Sequence, residues 1–202
     1  MRRAAERARY TYDEYRRFEE ATDAKHEYID GEILAMAGGT PEHAALAAAV
    51  IAELSPQLVG GSCTMFTSDL RVRVRATGVA TYPDATVICG DLERDPEDPN
   101  AAVNPTVLIE IPSDSTAAYD AGEKFAHYRQ ISHLREYVLV SHQERRIEVR
   151  RRDPWCLADL AGDPRRCAPP RLDRCRPLGG HPLRPVAADP PALTHSAQRS
   201  DR

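Results

Sequence analysis

Apolar and polar positions alternate with period two over Leu70–Arg75, reading LRVRVR. Such alternation predicts a strand with one apolar face and Arg71, Arg73 and Arg75 on the other. Short apolar runs at Cys63–Thr67, Ala85–Cys89 and Thr106–Ile111 predict further strands, and Val107–Leu108–Ile109 reads as buried on both faces. Tyr28–Met36 (YIDGEILAM) predicts a hairpin, because Asp30-Gly31 supplies the positive φ of a tight turn. Glu136–Val140 and Arg145–Arg150 predict two more strands, joined across Gln143-Glu144.

Helical spacing appears in three places. Thr11 with Glu14 three residues on is a capping-box pattern, predicting a helix over Tyr12–Glu20 that buries Tyr15 and Phe18. Thr40 as cap and Pro41 at the first helical position predict a second helix, Glu42–Leu58. Leu46, Val50, Leu54 and Leu58 form its apolar stripe, and Pro56 loosens its last turn. Tyr119–Ile131 predicts a third helix, with Phe125, Tyr128 and Ile131 facing the core and Asp120 and Lys124 sharing a face.

The chain has 202 residues, enough for one domain with its own core, and 42% hydrophobic with 29% charged residues suits a soluble body. The character changes near Pro154. From Pro154 onward lie nine of the sixteen prolines and three of the five cysteines, without hydrophobic periodicity. The organisation expected is a polar arm at 1–10, a folded domain at 11–152, and an Arg/Pro-rich tail at 153–202 that is disordered or atypical. The formal charge of −4 argues against a protein that coats phosphate over its whole surface. Residues 91–105, rich in proline and acid, read as a solvated connector. The cysteines show no CxxC spacing, so neither a zinc cluster nor a disulfide framework is expected. The N-terminal stretch lacks the apolar core of a secretory signal, and no stretch is apolar enough to span a bilayer. A cytoplasmic protein without a membrane partner is the expectation.

The chemistry concentrates in VLIEIPSDSTAAYDAGEK, Val107–Lys124. Glu110 ends an apolar strand, and Lys124 follows on the next helix. Asp84, in TYPDATVICG, stands before another apolar run. Carboxylates at the ends of adjacent buried strands are destabilising unless they meet a cation. Oxygen donors of this kind suit Mg²⁺ or Mn²⁺, and Lys124 supplies a point charge for a phosphate or an attacking water. The bland readings remain beside this one. Asp84 can be a turn residue, Glu110 can face water, and Lys124 can be solvated. Likewise Arg71, Arg73 and Arg75 are either a solvated strand face or a phosphate-binding strip, and His43 is either a solvated polar residue or part of a site rim.

YIDGEI, a helix opening PEH, YPDATV, LIEIPSDSTAAYDAGEKFAHYR and LREYVLVSHQERRIEV, in that order, resemble a large bacterial family of restriction-endonuclease-like proteins. That family is abundant in cyanobacteria and actinobacteria and was long carried as a domain of unknown function. The resemblance covers about residues 10–152 and places the chain in the PD-(D/E)XK superfamily. It implies an α/β (α+β) fold, with a central mixed β-sheet flanked by helices. It also implies a Mg²⁺- or Mn²⁺-dependent endonuclease acting on DNA, with Asp84 and Glu110 as metal ligands and catalytic residues alongside Lys124. Glu32 and Asp120 fall in family motif positions and are expected close to the metal, and a homodimer is an expected partner state. This chain reads EIPS where the family usually reads EVLS, so Pro112 stands where the superfamily pattern expects lysine. The competing reading is a catalytically inactive nuclease-fold module that binds nucleic acid or protein.

Overall fold

The computed structural model describes residues 9–36, 38–113 and 116–152. Most of the N-terminal arm and all of the expected tail lie outside these residues. Helix α1 spans Tyr12–Glu20, and its capping box is complete, with Thr11 and Glu14 satisfying each other's backbone N–H groups. Tyr15 is fully buried on α1, but its second buried residue is Glu19. Phe18, expected inside, is 43% exposed. Buried Glu19 is satisfied by Tyr82 and by the backbone and ring of His26, which explains how a carboxylate displaces an aromatic there.

Strands β1 (His26–Ile29) and β2 (Glu32–Ala35) form the expected hairpin, with φ of 50° at Asp30 and 84° at Gly31. Helix α2 runs Pro41–Leu58, with Thr40 accepting from the His43 N–H. Then follow β3 (Cys63–Thr67), β4 (Arg71–Val74), β5 (Val79–Thr81), β6 (Ala85–Cys89), β7 (Arg94–Asp95), β8 (Asp98–Ala102) and β9 (Val107–Glu110). A helical stretch leads to β10 (Glu136–Val140) and β11 (Ile147–Arg151).

The strands make two mixed sheets rather than one. The first has the order β2-β1-β5-β4-β8-β7, the second β11-β10-β9-β6-β3. Between them lies a core of Val72, Val74 and Val79 from the first sheet with Leu108, Tyr137 and Leu139 from the second, completed by Tyr128, Ile131 and Leu134. Helix α2 covers the other face of the second sheet, packing Val50 near Ala85, Ile109, Ile111 and Val140. Strand β9 is therefore buried on both sides. Its alternation sends Leu108 and Glu110 to the inter-sheet core and Ile109 and Ile111 toward α2. The whole is the restriction-endonuclease-like α/β arrangement, with β9 as the central strand of its sheet.

Two expectations are corrected. The acidic connector is not solvated: it contains the β7–β8 hairpin, with Asp95 2% exposed and Asp98 fully buried. Those acids take Arg71 and Arg73. Arg71 pairs with Asp98 at 2.5 Å and donates to Tyr82, while Arg73 pairs with Asp95 and Glu97, both at 2.9 Å. Of the three strand arginines only Arg75 is largely exposed. Neither the solvated face nor the phosphate strip describes Arg71 and Arg73, because internal carboxylates already hold their guanidinium groups. The second correction concerns cysteine. Cys63 and Cys89 stand opposite each other on antiparallel β3 and β6 and form a disulfide. The three remaining cysteines lie outside the described residues. Among the described residues, no helix is long and apolar enough to cross a membrane.

Candidate active site

Strands β6 and β9 pair antiparallel, with Ala85 opposite Ile109 and Thr86 opposite Leu108. Asp84, at the head of β6, therefore stands beside the end of β9. Its Oδ2 accepts the Ile111 N–H at 2.7 Å, and its Oδ1 lies 3.3 Å from His43 Nε2 at the start of α2. Pro112 does not disturb this. It follows the last ladder residue, so its missing N–H removes no sheet hydrogen bond, and its carbonyl meets the His142 ring at 2.9 Å.

The helix after β9 is irregular in a way its sequence does not announce. An α-turn at Ala117–Tyr119 widens into a π-helical segment, Asp120–Lys124, before closing as Phe125–Tyr128. Side chains satisfy carbonyls of the widened turn: Tyr137 donates to Asp120 O at 2.9 Å, and Arg150 donates to Ala121 O. The segment buries both Asp120 and Lys124, at 4% and 6% exposure. π-turns of this kind recur at functional sites.

Lys124 Nζ is the convergence point. It lies 3.0 Å from Glu27 Oε1, 3.1 Å from Glu110 Oε1 and 3.4 Å from Asp120 Oδ1. Tyr128 donates to Glu110 Oε1 at 2.9 Å, and its hydroxyl is itself fixed by Thr81 Oγ1 at 2.8 Å. Glu27 Oε1 is buried and makes no hydrogen bond of good geometry despite its short approach to the ammonium. The distance establishes the charge contact, and the poor alignment leaves that oxygen only partly satisfied.

The electrostatics follow from this crowding. Burial pushes the Glu110 carboxyl up to about 8 from an ordinary 4.5, against the pull of Lys124 and with help from Asp84, Asp120 and Glu27. Burial also raises Asp84, opposed by the Ile111 N–H, His43 and Lys124. For Lys124, burial works to lower the pKa, but Glu110, Tyr128, Glu27 and Asp120 together raise it well above its ordinary value. Its ammonium therefore stays protonated. Four carboxylates face one buried ammonium, and the cluster has room electrostatically for more positive charge.

Asp84, Glu110, Lys124 and Asp120 are thus brought together. Glu32 is placed differently: it stands at the hairpin turn opposite Ile29, and the hairpin carboxylate that reaches Lys124 belongs to Glu27. The signal for Glu27 was the period of β1, which puts it on the same face as Ile29, a residue packed against the inter-sheet core. His43 meets Asp84 at the rim.

A family model described as "Uma2: Putative restriction endonuclease" matches residues 12–170. The chain belongs to the Uma2 family. The match continues past the last described residue, into part of the expected tail. Among relatives from Synechocystis sp. (strain ATCC 27184 / PCC 6803 / Kazusa), the chain is 36% identical over 137 residues to "Uncharacterized protein slr1290", covering 68% of this chain and 71% of that protein. It is 31% identical over 156 residues to "Uncharacterized protein sll1609", covering 76% and 88%. A crystal structure of "a putative nuclease belonging to DUF820" from Anabaena variabilis ATCC 29413 superposes with a TM-score of 0.53 at 22% identity, over 70% of this chain and 79% of that one. At that identity the likeness speaks for the fold.

Whether the site suits a divalent cation can be judged from its donors. Carboxylate oxygens are the ligands that Mg²⁺ and Mn²⁺ take, and the surplus of acid and the poorly satisfied Glu27 Oε1 both favour an added cation. Among the described residues, no group of three or more His, Cys, Asp or Glu side chains is placed so that it could hold a metal ion. Three carboxylates converge instead on an ammonium. The donor chemistry fits a hard divalent ion, and Lys124 stands where the carboxylates converge.

Proposed function

We propose that this Uma2 protein is a divalent-metal-dependent endonuclease that hydrolyses DNA phosphodiester bonds. The observation that carries the reading is the 3.1 Å contact of Lys124 with Glu110, beside Asp84 at the head of the neighbouring strand. An acid from each of two paired strands and an amine from the next helix are the groups this chemistry needs.

In this reading Asp84 and Glu110 would hold Mg²⁺ or Mn²⁺. The ion would supply an acidified water and charge neutralisation at the phosphoryl oxygens. Hydrolysis forms one bond from water oxygen to phosphorus and breaks one phosphorus–ester bond, and the departing sugar oxygen takes up a proton. Lys124 is fixed as a cation by its carboxylate neighbours, so its role is electrostatic: it offsets charge on the phosphoryl oxygens instead of removing a proton. Tyr128, its hydroxyl fixed by Thr81, orients Glu110. Asp120 and Glu27 hold the ammonium in place. DNA as substrate rests on the family resemblance. Arg71 and Arg73 are engaged internally, and Arg75, though largely exposed, also approaches Asp95 at 3.6 Å.

One observation favours the alternative of an inactive nuclease-fold module. Three carboxylates already surround the Lys124 ammonium, which offsets their charge without a metal. Plasmid nicking with Mg²⁺ or Mn²⁺ separates the two. Activity that disappears in Asp84→Asn and in Lys124→Ala supports the enzyme, and activity unchanged in both removes it. Salt-sensitive DNA binding without divalent ion, retained in Asp84→Asn and unaccompanied by cleavage, is the signature of the module.

A further inference from the structure

The helix after β9 ends at Tyr128, and three guanidinium groups gather where it gives way to β10. Arg129 caps that helix, Arg135 precedes β10, and Arg152 follows β11. The backbone ties them together: the Arg152 N–H donates to the Arg135 carbonyl at 2.8 Å, and the Arg135 N–H donates to the Thr106 carbonyl at 2.8 Å. The Arg152 guanidinium donates to Ser132 O at 2.9 Å and also to Arg129 O, which fixes its plane. Arg129 and Arg135 are exposed, and among the described residues neither guanidinium has a carboxylate partner. Acids on adjoining elements are engaged elsewhere: Glu136 takes Arg151 at 2.8 Å, and Glu93 lies 3.9 Å from His133. Burial, and then the charges of Arg135 and Arg129, hold the Arg152 guanidinium below its ordinary pKa. Three like charges held in this way repel one another until an anion joins them.

We propose that Arg129, Arg135 and Arg152 form a phosphate-binding patch that takes the backbone of a nucleic acid outside the catalytic cluster. The inference rests on the DNA reading above and adds a contact surface that the site residues do not supply. The chain carries a formal charge of −4, so a trio of arginines without acid runs against its overall balance. Arginine presents its donors in a planar fork that matches phosphate oxygens. Residues 154–202 carry eight Arg and five Asp, so that segment is a poor counterpart for the patch. The patch adjoins Thr106 at the start of β9, whereas Glu110 ends β9. Four residues of strand span roughly 13 Å. A duplex advances about 3.4 Å per base pair, so backbone roughly four base pairs from the cleaved bond lies at a matching distance. Such a contact reads no base edges, and it raises affinity for any sequence alike.

The test follows binding of a fluorescent DNA duplex of about 30 base pairs to the full chain as salt is varied, with a chelator present to stop cleavage. Arg129→Ala/Arg135→Ala should bind about tenfold more weakly, and the slope of log affinity against log salt should fall by about two, since each lost phosphate contact removes roughly 0.9. Arg17→Ala/Arg146→Ala removes the same charge from two exposed arginines that have acid partners, and should change the slope by less than about 0.5. A wild-type slope in the Arg129/Arg135 variant overturns the patch and leaves the DNA reading standing. An equal fall in the control variant also overturns the patch, because net charge alone then sets the slope. If the wild type binds no duplex but nicks plasmid with Mg²⁺, the patch is overturned and the DNA reading stands; if it does neither, both fall. Should the double variant melt early, the single variants Arg129→Ala and Arg135→Ala decide the question: each should lower the slope by about one, and a wild-type slope in both overturns the patch.

Discussion

The molecule buries two clusters of charge, and they are built differently. On the first sheet, Arg71 and Arg73 meet Asp95, Asp98 and Glu97, with Tyr12 and Tyr82 taking further hydrogen bonds. Positive and negative groups there are nearly matched, and the Arg73 guanidinium also lies 3.5 Å from the Tyr12 ring centre. At the end of β9, one lysine faces Glu27, Glu110, Asp120 and, nearby, Asp84. A matched cluster is complete in itself and joins α1, the first sheet and the β7–β8 hairpin. In the acid-rich cluster, burial raises the Glu110 and Asp84 carboxyls, and the neighbouring acids add to that rise. Burial of charge alone does not mark a site. The imbalance does.

The sharpest way to break this comparison is to remove one group from each side. Asp84→Asn or Lys124→Ala should lower divalent-dependent DNA cleavage by about a hundredfold or more, measured by plasmid nicking. Asp98→Asn should leave the cleavage chemistry in place but destabilise the fold by about 3–5 kcal/mol in urea denaturation, because it leaves Arg71 buried without its partner charge. Should Asp98→Asn be harmless to stability, the structural assignment of the first cluster fails.

A smaller effect concerns ligand linkage. Saturating Mn²⁺ at about a hundred times its dissociation constant should stabilise the wild type by about 2.7 kcal/mol, and a chelator should reverse this. Asp84→Asn should show no such gain.

A further effect is the pH dependence of the metal-free protein. The folded Glu110 pKa is raised to about 8 from 4.5, so the folded state binds a proton that the unfolded state releases. This group's contribution to stability is fully present below about pH 4.5 and is lost as pH rises through 8. Glu110→Gln should flatten the fall in melting temperature over that window relative to the wild type. An unchanged slope would mean that Glu110 is ionised in the folded protein.

Part of the candidate site was legible before any coordinates. Asp84, Glu110 and Lys124 each interrupt or follow an apolar run, and a charge in such a run reports on burial wherever the chain turns. The capping box at Thr11, the Asp30-Gly31 turn and the α2 start were legible too, because local hydrogen bonds and φ preferences decide them. Glu27 and Asp98 were not. Each looks like an ordinary surface acid until another element packs against it, and Phe18 was misplaced for the same reason. The Cys63–Cys89 bridge escaped notice because the two residues meet only through the register of β3 against β6.

By itself, then, the sequence determined the strands other than β5, β7 and β8, the three helical segments, the family and the short list of charged residues within apolar surroundings. Those depend on periodicity and local geometry, which a single stretch of chain carries. The tertiary structure decided which charges meet: that the acidic connector takes Arg71 and Arg73, that a π-turn buries Asp120 beside Lys124, and that α2 sets His43 against Asp84. Coulomb energies depend on distance and burial across the fold, and neither is written in the spacing of residues along the chain.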